Sequence, residues 1–258
     1  YRGRQGEIPR QQVINPSDMK LPECIISMTS WRRRINDVGM VIFSFLKLEP
    51  VCDFKVVLVL SSDEFPDKEK ELPKDLLLLR KHPRFEILWT TKNTRAYKKY
   101  FPTARKYPTV PIITVDDDAP AKPNFLSTLW TMHKKDPHRV IYGYNGVPQR
   151  RTGIDYVRYG VGMFPPGSLF NLDEYFGLDM FGDMDDEFFR LLHVLAGTKN
   201  YSLNAYDVLY IQAINQDSAL GAQIGLQWKF LDSKWNDMFK HMPELKKRWD
   251  KNVGKSNT

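Results

Sequence analysis

The stretch Val110-Pro-Ile-Ile-Thr-Val-Asp-Asp-Asp118 joins a run of apolar and β-branched residues directly to three consecutive carboxylates. A short apolar run bounded by a proline and an acidic group reads as a buried strand. The aspartates beyond it repel one another at neutral pH unless cations or hydrogen-bond donors offset their charge, so something positive is expected beside them. Two readings stay open here. One is a site for a hard divalent ion and the phosphates it bridges. The other is an exposed acidic loop, or a helix start where acidic residues suit the dipole.

Working outward, the segments on either side alternate. Upstream, Glu23 to Met28 is a short apolar run stopping at Thr29-Ser30, and Ile35, Val38, Val41, Ile42, Phe45 and Leu46 then recur at helical spacing up to Pro50. A valine-rich strand over Phe54 to Leu60, a leucine-rich helix near Leu72 to Arg80, a strand near Phe85 to Trp89 and a short helix over Ala96 to Lys106 follow. Downstream, a helix over Asn124 to His133 leads to a strand over Val140 to Tyr142. Strands separated by helices of this length predict an α/β fold with a mostly parallel sheet and right-handed crossovers. Ligands of such sheets bind beyond the carboxyl ends of the strands, which puts Thr29-Ser30 and the three aspartates on one rim.

From Gly143 the pattern becomes rich in loops, with Gly160-Val-Gly and Pro165-Pro-Gly-Ser as turn signals. A helix is expected from Asp185 to Leu195, closed by Gly197, and a last one from Lys234 to Lys247. The expected organisation is a flexible segment over 1–20, one domain over 21–250 and a tail over 251–258. Within the domain, 21–143 and 144–250 are expected as two halves, the second richer in loops.

With 258 residues, 42% of them hydrophobic, the chain can fill a sizeable core. Its longest apolar stretches fall short of the ~20 residues of a membrane span, so a soluble or at most peripheral protein is expected. The first residue is a tyrosine, and the chain reads as an excised or processed piece without its targeting signal. Cys24 and Cys52 lie in apolar segments and are expected as free thiols, in keeping with a reducing, cytoplasmic setting. The net charge of +7 is divided among separate patches: Arg32-Arg33-Arg34, Lys98-Lys99 and Lys246-Lys247-Arg248. No Gly-rich phosphate loop, no zinc spacing and no nucleic-acid recognition motif stands out. The basic, partly apolar last helix fits either docking onto the domain or contact with an anionic membrane surface.

Taken together, Ser27-Met-Thr-Ser-Trp-Arg-Arg-Arg-Ile35, Tyr97-Lys98-Lys99, Ile112-Ile-Thr-Val-Asp-Asp-Asp118, Phe164-Pro-Pro-Gly-Ser-Leu169 and Asp185-Asp186 resemble bacterial GT-A glycosyltransferases of surface polysaccharide assembly, such as O-antigen and capsule. The resemblance spans most of residues 21–245 and implies a GT-A fold, with 21–143 as the nucleotide-sugar-binding half and 144–250 as the acceptor and catalytic half. It also implies that the triplet is a DxD motif: Asp116 toward the donor ribose or sugar, Asp118 on Mn²⁺ or Mg²⁺, and Asp117 nearby. It places Thr29, Ser30 and Arg34 near the nucleotide base and ribose, Lys98 near the uracil or the phosphates, and Gly162 beside the donor sugar. A third metal ligand, which this fold often takes from near the C-terminal end, is sought in His241, with Asp237 as the other candidate. His193, among apolar neighbours in its helix, is expected to be packed.

The same resemblance makes Asp186 the base for the acceptor hydroxyl, with Asp185 beside it. Capping of the helix start by Asp183 and Asp185 is the competing reading. Tyr156, Tyr159 and Trp130 are candidates for stacking on sugar rings, Trp130 also for the core. The expected activity is inverting transfer of a hexose, galactose or galactofuranose, from a UDP-sugar to an oligosaccharide or lipid-linked glycan. No nucleic-acid partner is expected. A metal-dependent nucleotidyltransferase or phosphohydrolase, and a non-catalytic polyanion- or glycan-binding domain, are the alternatives.

Overall fold

The structure, a computed structural model, describes residues 20–144, 149–151, 154–156, 159–211 and 228–253. Its strands are β1 (Cys24–Thr29), β2 (Phe54–Ser61), β3 (Phe85–Thr90), β4 (Ile112–Val115), β5 (Val140–Tyr144), β6 (Gln149–Arg151), β7 (Ile154–Tyr156), β8 (Tyr159–Phe164) and β9 (Asn200–Asn204). Seven of them form one sheet in the order β3-β2-β1-β4-β8-β5-β9, while β6 and β7 pair as a separate hairpin. Within the seven-stranded sheet β8 runs against its two neighbours, and the other pairings of that sheet are parallel. The carboxyl ends of β1, β2, β3, β4, β5 and β9 therefore share one rim, and Asp116 to Asp118 leave that rim at its centre.

Both faces of the sheet are covered. On one lie α1 (Val38–Leu46), α2 (Lys74–Leu79) and α4 (Phe125–Lys135), whose Val38, Ile42, Leu76 and Leu129 share a core with Ile26, Leu58 and Ile113. On the other, α3 (Phe101–Lys106) lies over β1, β2 and β4. Beside it stand α5 (Glu174–Phe181) and α6 (Asp185–Ala196), then α7 (Trp228–His241) and α8 (Pro243–Asn252), which cover Val140, Tyr142 and Phe164. Strands β1, β2 and β4 alternate between these two cores residue by residue, which is why they read as continuous apolar runs.

Three expectations need correction. The segment read as one helix over Ala96 to Lys106 is a 3-10 segment, Arg95–Lys99, followed by α3, because Pro102 in the first turn of α3 cannot donate back along a continuous helix. The last helix is likewise two: Pro243 pushes Met242 out of helical geometry, to φ −129 and ψ 68. The third correction is larger, since Gly160-Val-Gly162 is not a turn but the interior of β8. A Cβ on Gly162 would stand 2.7 Å from the Phe164 ring, and one on Gly160 would stand 3.1 Å from the Ala205 side chain. These glycines allow close packing in a sheet.

Cys24 and Cys52 are free thiols whose sulfurs lie 3.5 Å apart in the core. α8 docks on the domain through Trp249, which is buried with its ring centroid 4.9 Å from that of Trp235. Among the described residues no helix is long and apolar enough to cross a membrane.

Candidate functional site

The acidic triplet is neutralised from two directions by the chain's own cations. Arg34, in the turn after β1, places Nη1 3.0 Å from Asp117 Oδ1 and Nη2 2.9 Å from Asp118 Oδ2. Ser30, at the end of β1, donates its hydroxyl to Asp117 Oδ2 at 2.6 Å. Lys99 supplies the second cation, its Nζ 3.0 Å from Asp116 Oδ1. The positive charge demanded by three adjacent aspartates is thus present, and the exposed-loop reading fails for Asp117, which is buried. Burial pushes the Asp117 carboxyl up to about 6, against the opposing pull of Arg34 and the Ser30 hydrogen bond.

Lys99 also reaches across the rim, with Nζ 2.7 Å from Asp185 Oδ2 at the head of α6. Burial lowers the proton affinity of its ammonium, but Asp116, Asp185 and Asp186 together outweigh this and hold its pKa well above that of an ordinary lysine. Asp186 is half-buried in the same first turn of α6. Four carboxylates from two elements far apart in sequence thereby meet around Arg34 and Lys99.

The capping reading of α6 is corrected. Its N-cap is Met184, with no side-chain cap hydrogen bond. Asp183 instead accepts from Arg95 Nη1 at 2.9 and 2.8 Å, and Asp185 pairs with Lys99. Gly197 does close the helix, in the left-handed region at φ 74.

The remaining candidates fall in several places. Thr29 donates its hydroxyl to Val59 O at 2.8 Å and so fastens β1 to β2. Lys98 is buried, bonded to Asn93 Oδ1 and 3.3 Å from Glu64 Oε2; burial lowers its pKa, partly offset by Glu64 and Asp117. Gly162 faces Thr114 of β4 within the sheet, its missing side chain explained by the Phe164 ring. His193 is buried with Nδ1 2.7 Å from the Tyr142 hydroxyl, and burial lowers its pKa to about 3. Trp130 is partly buried against the core, while the side chains of Tyr156 and Tyr159 lie outside the described residues.

The donor chemistry of the rim fits a hard divalent cation. Asp116 is 46% exposed and Asp118 is 16% exposed, so the two flanking carboxylates are reachable while Asp117 is turned inward. Magnesium-type ions commonly take one or two carboxylates and complete their shell with water and phosphate oxygens. Among the described residues no group of three or more His, Cys, Asp or Glu side chains is placed to hold a metal ion. His241 is not gathered with Asp116 and Asp118; exposed on α7, it engages Asp237 O of its own helix through Nδ1 at 2.7 Å.

Lys99 and Arg95 are the site residues that sequence reasoning missed. The Lys98-Lys99 pair was visible, but not which of the two meets the acidic rim. A 3-10 segment advances about 120° per residue, so neighbours diverge and only one faces the aspartates.

No protein-family model matches the chain, and no curated protein matches it in sequence. Solved structures do. The crystal structure of S. aureus TarS 1–349 is similar with TM-score 0.52 and 14% identity, covering 85% of this chain and 72% of that one. The structure of S. aureus TarS 1–349 in complex with UDP is similar with TM-score 0.51 and 14% identity, covering 84% and 72%. At this identity the likeness establishes the fold, a GT-A arrangement with a mostly parallel sheet flanked by helices.

Proposed function

We propose that this protein is a glycosyltransferase that moves a hexose from a UDP-sugar to a glycan acceptor with inversion at the anomeric carbon. The observation that carries the proposal is the meeting of the central triplet Asp116 to Asp118 with Asp185 and Asp186 at the rim, joined by one buried ammonium. Inverting transfer needs a carboxylate for the attacking hydroxyl across the anomeric carbon from the groups that serve the leaving diphosphate, and two sets of carboxylates from separate elements at one rim support that reading. The UDP complex of a protein with the same fold supports a uridine nucleotide as the donor handle.

Asp116 and Asp118 would hold a Mn²⁺ or Mg²⁺ ion, which when bound supplies Lewis-acid neutralisation of the diphosphate charge. Arg34 keeps Asp117 and Asp118 in place and adds a permanent positive charge behind them. Asp186 accepts the proton of the acceptor hydroxyl. The freed oxygen forms the new bond to the anomeric carbon, while the bond from that carbon to the diphosphate breaks and UDP departs with the electron pair. A positioned carboxylate base accelerates such a step by roughly 10²–10⁴-fold. Galactose or galactofuranose is the hexose proposed, and an oligosaccharide or lipid-linked glycan the acceptor.

The test is UDP release from a panel of UDP-hexoses with simple glycosides as acceptors, followed by NMR of the product anomer. Turnover is expected with the anomer inverted and with kcat reduced roughly 10²–10⁴-fold in Asp186→Asn. Retention of configuration, or wild-type kcat in that variant, removes Asp186 from the role of base.

A further inference from the structure

The 3-10 segment Arg95–Lys99 is fastened to the α5–α6 region by three side chains in turn. Arg95 grips both oxygens of Asp183. Tyr97, fully buried, donates its hydroxyl to Gly177 O at 3.0 Å and sets its ring edge-on to Phe188 at 5.7 Å. Lys99 pairs with Asp185 at 2.7 Å. Lys98 departs the other way, toward Glu64 and Asn93. Arg95 also adopts φ 53, a left-handed conformation that is strained for a non-glycine residue and persists only where surrounding contacts fix it.

This clasp holds the head of a helix that lacks a side-chain cap. The first turn of α6 carries Asp185, Asp186 and Glu187 behind an N-cap methionine. An uncapped first turn frays readily, and here the tie is the ion pair from Lys99. The same Nζ lies 3.0 Å from Asp116 on the donor rim. With only 7% of its side chain exposed and a carboxylate on either side, Lys99 is enclosed between these two groups instead of facing a substrate.

We infer that Lys99 is a positioning residue: by holding Asp116 and Asp185 on one ammonium, it sets where the neighbouring Asp186 stands relative to the donor. The inference rests on the proposed role of Asp186 as base. A displacement of ~1 Å in such a group costs on the order of 10²-fold in rate, so loss of the clasp should lower kcat far more than it changes nucleotide affinity.

The experiment compares Lys99→Met, Lys99→Arg and Arg95→Gln with the wild type in three readouts. These are UDP affinity by calorimetry, kcat and KM from UDP release with the best UDP-hexose, and hydrogen exchange of the amides at 186–189. For Lys99→Met, kcat should fall roughly 100-fold, UDP affinity should stay within about threefold, and the 186–189 amides should exchange faster. Lys99→Arg should recover at least about tenfold of the lost kcat, and Arg95→Gln, which leaves Asp116 untouched, should lower kcat by a few fold with unchanged KM for the donor. If Lys99→Met does not fold, Lys99→Arg and Arg95→Gln decide. The inference is overturned by wild-type kcat in Lys99→Met, by loss of UDP affinity in proportion to kcat, by no rescue with arginine, or by wild-type kcat in Arg95→Gln. A wild-type protein that neither binds UDP nor turns over any UDP-hexose instead defeats the transferase proposal, while the exchange data still report on the clasp.

Discussion

Replacing Arg34 by methionine isolates the electrostatics of the acidic rim. The guanidinium lies 3.0 Å from Asp117 and 2.9 Å from Asp118, and its side chain is 7% exposed. Removing one partner of a buried pair costs roughly 3–5 kcal/mol, because the remaining charge has lost both water and its counter-ion. For a chain of this size each kcal/mol moves Tm by about 2–4 °C, so a fall of about 10 °C is expected at pH 8. The sign of the pH dependence follows from Asp117. Its folded-state pKa, about 6, lies above that of an unfolded aspartate. The stability it contributes is therefore fully present below about pH 4 and is lost as pH rises through about 6. Without Arg34 its pKa rises further, so at pH 5 Asp117 is neutral in the variant and needs no counter-ion. The Tm deficit should then shrink by about half, since of the two carboxylates that Arg34 bridges only Asp118 still carries a charge for the lost guanidinium to offset. Thermal unfolding of wild type and Arg34→Met at both pH values tests this, with Arg34→Met/Asp117→Asn expected to regain part of the loss at pH 8. Equal deficits at pH 5 and pH 8, or a deficit below about 2 °C, would refute the argument.

Two further outcomes concern the second face of the sheet. His193 has a folded-state pKa of about 3, below its unfolded value, so its contribution is present above about pH 6.5 and is lost as pH falls toward 3. In His193→Gln, unfolding free energy measured in urea between pH 6 and 4 should fall less steeply than in wild type, by up to about 1.4 kcal/mol per pH unit. Identical slopes would show that this histidine does not titrate with unfolding. Trp249→Ala should cost about 3–5 kcal/mol in urea unfolding, as expected for emptying the space among Trp235, Phe239 and Arg190. A change under about 1 kcal/mol would mean that α8 is not docked in solution.

The alternation of strand and helix up to β5 was legible in the sequence because each element is amphipathic or fully apolar with its own period. Val38, Val41, Ile42 and Phe45 mark a helix; Phe54 to Leu60, buried on both faces, mark a central strand. What failed was non-local. Gly160 and Gly162 carry the same local signal whether they turn a chain or let Phe164 and Ala205 approach a strand, and only the tertiary partners distinguish these cases. The carboxylates of the site were likewise legible by type, and Arg34 through the resemblance, whereas the pairing of cations with particular carboxylates was not. Arg34 looks like any residue of a basic run, and Lys99 like its neighbour Lys98. Which of them turns inward depends on 3-10 geometry and on Asp185, 86 positions away along the chain. Asp183 and Asp185 suit a helix cap by sequence, and it is Arg95 and Lys99 that claim them instead.

We propose the acidic triplet as the place where a uridine diphosphate and a divalent ion meet. Calorimetric titration of UDP into wild type and Asp118→Asn, each with Mn²⁺ and with a chelator, tests that claim most directly. The expected result is UDP binding by the wild type with Mn²⁺ and a loss of at least about tenfold in affinity, about 1.4 kcal/mol, on chelation or in Asp118→Asn. Equal affinity under all four conditions, or no UDP binding by the wild type, would contradict it.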